Sequence, residues 1–309
     1  YVLCGLYEET KIASEKAIRA DNMFLDYAGP FNFYTTARCH DLHLMMFTCM
    51  FLGQFDPAIK AANQMRATLT RDVMDIPDRP QTMVTMEGYY SMYTHVLVRF
   101  GKWREIVALE TPKDAGLYPV SIAMDHYAKA VAFAALKDFD AANAQRDLFY
   151  GAVAQVPEDR EFFNNPARVI LGVGEQMMEG ELAYHKGDHA AGFAHLRESV
   201  RRCDGLAYSE PLPWMHPPRH ALGALLAAQG QFEEAEEVYR TDLGLNDGLQ
   251  RCAQHPDNVW ALHGLVECLQ RRGETEELPG LEAKLAAALA LTDVEISSAC
   301  MCRAVCCEG

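Results

Sequence analysis

Histidine and cysteine are the residues of this chain whose types and spacing could do chemistry. His40 and His43 lie three residues apart in HDLHLMMF, which puts both imidazoles on one face of a helix. Two imidazoles so placed are half of a transition-metal site, and His95, Glu181 or His220 would complete it from neighbouring helices, with His263 a further ligand. Copper, zinc or iron held this way, with one position open, would act as a Lewis acid or redox centre. No HExxH accompanies the pair, and imidazoles on a polar surface also serve simply to hydrogen-bond backbone, tyrosine or a peptide ligand. A second cluster closes the chain, where Ser298 to Gly309 holds Cys300, Cys302, Cys306 and Cys307. Sulfur at this density suits Cu(I) or Zn(II). CxC followed by CC is not a zinc-finger pairing, however, and an inert or redox-buffering tail is the competing reading.

Other chemistries lack their motifs. Gly172-Val-Gly174 runs into Glu-Gln-Met instead of completing GxGxxG, and there is no P-loop and no GxSxG. A formal net charge of -15 repels phosphate backbones and anionic membrane surfaces, so nucleic acid is not the expected partner. The longest apolar run, Leu44 to Gly53, is half of what a membrane-spanning helix requires. Six scattered cysteines, Cys4, Cys39, Cys49, Cys203, Cys252 and Cys268, read as buried thiols of a reducing compartment, which predicts a cytoplasmic protein. No signal peptide is visible, and Tyr1 to Gly5 reads as the tail of a helix that begins upstream.

The elements that must position these residues are helices. In HALGALLAAQGQFEEAEEVYRTDL, His220 to Leu243, a first helix ends at the Gly230 turn, and Ala235, Val238 and Tyr239 mark the buried stripe of a second. Aligning on the turn residue gives seven turns, at Gly5, Gly53, Gly101, Lys137, Gly187, Gly230 and Gly273. Asp56-Pro57 and Glu233-Glu234 follow two of them as helix-start signals. Clusters of Pro, Gly, Asp and Asn at Thr68 to Gln81, Val156 to Pro166 and Asp204 to Pro218 predict interruptions between helices. Almost no sheet is expected.

This pattern resembles the tetratricopeptide (TPR) repeat, on Gly223, Gly230, Ala235 and Tyr239 and most strongly from Trp214 to Gly273. The resemblance implies an all-α, right-handed solenoid of about six to seven helix pairs over residues 1–296, followed by a cysteine-rich tail at 297–309. It also implies a concave groove lined by each pair's first helix. Six of the eleven histidines fall on the groove stripe so implied, where random scatter would place roughly one. Phe47, Tyr127, Tyr184, Trp260, Glu181 and Glu267 share that stripe and would suit a peptide with apolar anchors and basic groups. The expected function is therefore an intracellular scaffold that binds a peptide or protein. A metal-binding protein or metalloenzyme built on His40, His43, His95, His220, His263 and the terminal cysteines is the alternative.

Overall fold

A computed structural model describes residues 1–75 and 80–303 of the chain. The described residues are mostly helical: α1 (Tyr7–Ala28), α2 (Tyr34–Leu52), α3 (Phe55–Thr68), α4 (Arg71–Met74), α5 (Pro80–Ser91), α6 (Tyr93–Arg99), α7 (Trp103–Val107), α8 (Pro119–Ala135) and α9 (Phe139–Gln155) come first. They are followed by α10 (Ala167–His185), α11 (His189–Asp204), α12 (Pro218–Ala228), α13 (Phe232–Leu243), α14 (Val259–Arg272) and α15 (Leu278–Leu289). The two strands, β1 (Glu161–Phe162) and β2 (Asn165–Pro166), form one antiparallel pair inside the second predicted interruption. The third interruption matches the gap between α11 and α12. The first spans α4, and its centre, 76–79, lies outside the described residues.

All seven predicted turn residues adopt a positive φ, from 61° at Gly101 to 93° at Gly187. Lys137, at 66°, accepts the left-handed conformation without being glycine, because the turn must reverse the chain there. Asp138, Asp188 and Asn258 then cap the following helices by accepting from the N–H of Ala141, Ala191 and Ala261. The helix after Gly53 departs from expectation. Asp56 lies inside its first turn, and the capping carboxylate is that of Asp293, which accepts from Phe55 N at 2.5 Å and Asp56 N at 2.9 Å.

Around α13 the helices approach closely where the sequence supplies glycine. A Cβ on Gly223 of α12 would lie 2.5 Å from the Tyr239 ring of α13, and one on Gly264 of α14 would lie 2.2 Å from it. Tyr239 is thus clamped between two successive first helices.

The last hairpin packs on the first. The Trp260 indole N–H of α14 donates to the Met50 carbonyl of α2 at 2.7 Å, Gln54 donates to the Leu291 carbonyl, and Ile296 and Thr292 lie against Gly53. Met301 packs on Gly101, Pro256 on Gly5, and the Arg99 guanidinium lies 3.8 Å over the Trp260 ring. Trp214, Met215 and His216, from the connection before α12, are buried with them. Residues 298–303, expected within a separate tail, belong to this packing, with Ala299, Cys300 and Cys302 buried.

Candidate functional site

The interior is polar to a degree that packing alone does not require. Buried side chains from several elements converge there: His43 and Thr48 from α2, His95 and Arg99 from α6, Glu181 from α10, His220 from α12 and Asp242 from α13. The connecting segments contribute Trp214, His216, His255 and Asn258. Native proteins leave few buried polar atoms without a hydrogen bond, since each costs about 1–3 kcal/mol. Here, among the described residues, both nitrogens of His43 and of His216, Nε2 of His95 and of His255, Nδ1 of His220, both Glu181 oxygens and both terminal nitrogens of Arg99 have no hydrogen-bond partner.

Asp242 organises one end of this set. Its Oδ2 receives His220 Nε2 at 2.8 Å and the Asn258 amide at 3.0 Å, while its Oδ1 receives His255 Nδ1 at 2.8 Å. The His255 backbone N–H donates to the Asp242 carbonyl at 2.7 Å, fixing the loop against the end of α13. Burial opposes a charge on Asp242, but these donors outweigh it and hold the carboxyl well below its ordinary range. An ionised carboxylate only accepts, so each imidazole carries its proton on the nitrogen facing Asp242. The far nitrogen of His220, Nδ1, is left as an acceptor, and that of His255, Nε2, makes no hydrogen bond among the described residues. Burial pushes His220 down to about 4, against the pull of Asp242, so it is neutral at pH 7. Phe51 stacks on His255 with 4.6 Å between ring centroids and fixes its plane.

A cavity of about 430 Å³ leads to this network. It lies between 203–219 and 248–255 and runs from the exposed Tyr208 to the buried Asp242 and His255. Trp214, Leu206, Leu212 and Pro217 give it apolar walls, and Arg219, held bidentately by Asp204 at 2.5 and 2.7 Å, contributes a charged pair. Volume and lining suit a small molecule with an apolar body. The Cys203 thiol also lines the cavity, but burial pushes it up to about 12, so it is no thiolate at neutral pH.

The residues expected to line an open groove sit differently. Phe47, Tyr127, Trp260 and Glu181 are buried: Phe47 packs on Phe51, Tyr127 on Trp214, and Trp260 on Arg99. These positions therefore present no open groove face. Tyr184 and Glu267 are half-buried, the first accepting from Gln229 and the second paired with Arg303 at 2.6 and 2.8 Å.

Of the proposed metal ligands, His40 is partly exposed and bonded to Asp41, whereas His43 is sealed between Phe163 and Tyr89. His95 packs edge-on against Trp214, and His220 belongs to the Asp242 network. His263 is half-buried, and burial pushes its pKa down. Cys300 and Cys302 are joined as a disulfide, and Cys306 and Cys307 lie outside the described residues. Among the described residues no three His, Cys, Asp or Glu side chains come together as a metal site.

Sequence reasoning missed Asp242, His255, Arg99 and His216 as site residues. Two carried a signal: Asp242 continues the buried stripe Ala235, Tyr239 at helical spacing, and Arg99 ends the apolar run HVLVR. A charge on a buried stripe is expensive and implies a partner or a purpose.

Comparison of the chain with protein-family models gives no match, and comparison with curated proteins gives none either.

Proposed function

We propose that the protein is an enzyme that moves a proton on a small molecule held in the 430 Å³ cavity, with His255 as the general base. The observation that carries this reading is the shared carboxylate: Asp242 fixes tautomer and orientation of His255 through Nδ1, leaving Nε2 as the basic atom of a residue that lines the cavity. A His–Asp pair of this kind is the orienting half of acid–base machinery on many unrelated folds. Asn258 and His220 complete the support by saturating the other Asp242 oxygen, so the carboxylate cannot swing away. We read the scaffold as a degenerate TPR-type array, supported by the seven left-handed turns and by the small-residue contacts of Gly223 and Gly264 with Tyr239. Peptide binding in an open groove has weaker support, because most of the stripe is buried.

Ligand-observed NMR of metabolite-sized molecules in D₂O tests the proposal, since it reports binding and proton exchange together. The wild type should bind and exchange or convert a ligand class, and His255→Gln should lose about 10²- to 10⁴-fold in rate while still binding it. Equal rates in wild type and His255→Gln, or capture of peptides with no small-molecule binding, would overturn it.

A further inference from the structure

Arg99 is not used by the His255 chemistry, and its environment asks for an explanation. The residue is 2% exposed, its guanidinium carbon lies 3.8 Å from the Trp260 ring centroid, and among the described residues neither terminal nitrogen has a hydrogen-bond partner. Around it are His216 at 2%, His220 at 0% and His95 at 1% exposure. The charges of Arg99, His95 and His220 all act on His216, and that of Arg99 on His220, so the four groups share one neighbourhood. Among the described residues each imidazole keeps at least one nitrogen without a partner: both on His216, Nδ1 on His220, Nε2 on His95. The sequence builds the cluster from two pairs at i,i+4, His95 with Arg99 and His216 with His220, the latter across the start of α12.

The chemistry of this donor set is one-sided. A guanidinium offers five N–H groups in a planar fork and accepts nothing. The carboxylate whose charge reaches Arg99 is Asp242, and its oxygens are already committed to His220, His255 and Asn258. Water could accept from the fork, but it would not neutralise a buried charge, and a buried unpaired charge costs several kcal/mol. An oxyanion does both, and the planar fork matches two of its oxygens.

We propose that Arg99, with His216 and His95, forms a buried recognition site for a small oxyanion, either a free tetrahedral anion or the carboxylate or phosphate group of an organic ligand. Arg99 supplies the charge and the bidentate contact, and His216 and His95 supply further donors from neutral rings; His220, whose proton faces Asp242, supplies none. The assignment does not depend on His255 acting as a base.

The test is equilibrium dialysis of the full-length chain against radiolabelled inorganic phosphate at pH 7, with sulfate and acetate as competitors and thermal unfolding followed in parallel. Saturable binding near one phosphate per chain is expected, with a rise in Tm that ionic-strength-matched chloride does not reproduce. Arg99→Gln should weaken binding by at least about tenfold, and Arg99→Lys, which keeps the charge but loses the fork, by less. Displacement by sulfate alone points to a tetrahedral anion, and displacement by acetate to a carboxylate. Should Arg99→Gln fail to fold, the wild-type isotherm and Arg99→Lys still decide. Retained binding in Arg99→Gln, or no saturable binding of any of the three anions to wild type, overturns the proposal. His255→Gln should leave phosphate binding intact, which separates this site from the proton-transfer reading.

Discussion

Trp260 on α14 donates its indole N–H to the carbonyl of Met50 on α2 across 210 residues of sequence, at 2.7 Å and fully buried. The bond joins the last hairpin to the first. Trp260→Phe keeps most of the packing and removes the donor, so a loss of about 1–2 kcal/mol is expected. Trp260→Ala also leaves a cavity and should cost about 3–5 kcal/mol. Urea unfolding of the two variants checks both; no loss in Trp260→Phe would mean that the hydrogen bond adds nothing to the contact, and equal losses that the ring packing adds nothing beyond it.

Glycine is needed at Gly223 and Gly230 for different reasons, and substitution should separate them. At Gly223 an added Cβ meets Tyr239, which Gly264 blocks from retreating. Gly223→Ala should therefore cost about 2–3 kcal/mol by overpacking. At Gly230 the space is open and only the φ of 74° resists, so alanine should cost about 1 kcal/mol. Comparison of denaturation midpoints would show the reverse order if turn strain dominated over packing.

Acid should loosen the interior through its histidines. Burial pushes His95 down to about 3 from 6.5, so the unfolded chain takes up its proton first as pH falls. The stability this group contributes is complete above about 6.5 and drains away toward the folded value, by about 2 kcal/mol at pH 5. His95→Gln should flatten the dependence of stability on pH between about 6.5 and 4. A slope unchanged from wild type would show that His95 is solvated in the folded protein.

Glu181 works in the opposite direction. Burial without a hydrogen-bond partner pushes it up to about 8 from 4.5. Its contribution is fully present below about 4.5 and is lost as pH rises toward 8, so at pH 7 it is a liability. Glu181→Gln is expected to raise stability at pH 7 by about 2–3 kcal/mol and to change little at pH 4. Destabilisation at pH 7 would mean that the carboxylate has a cation beside it.

The division between what the residues announced and what they withheld follows the range of the interactions. The turn at Lys137 was readable without a glycine, since spacing and the following Asp138 cap are local. His43, His95 and His220 were placed on one stripe by the TPR resemblance, which had them facing an open groove, whereas all three are buried. Closure was not readable, because Trp260 with Met50, Asp293 with the start of α3 and Met301 with Gly101 each join distant segments through no repeated motif. With closure unseen, buried Phe47 and Tyr127 looked like groove residues. The site itself lay further from view, since His255 and His216 sit in connecting segments and Asp242 at the end of a second helix, positions to which the repeat pattern assigns no role.

An open stack of repeats can lengthen or shorten at either end, because its terminal units have free outer faces. Here Trp260 and Asp293, late in the described residues, are bonded to α2 and to the start of α3, early in them. Cutting the chain before Trp260 would therefore take from α3 its capping carboxylate and from α2 its indole donor, so the early helices depend on residues more than two hundred positions away.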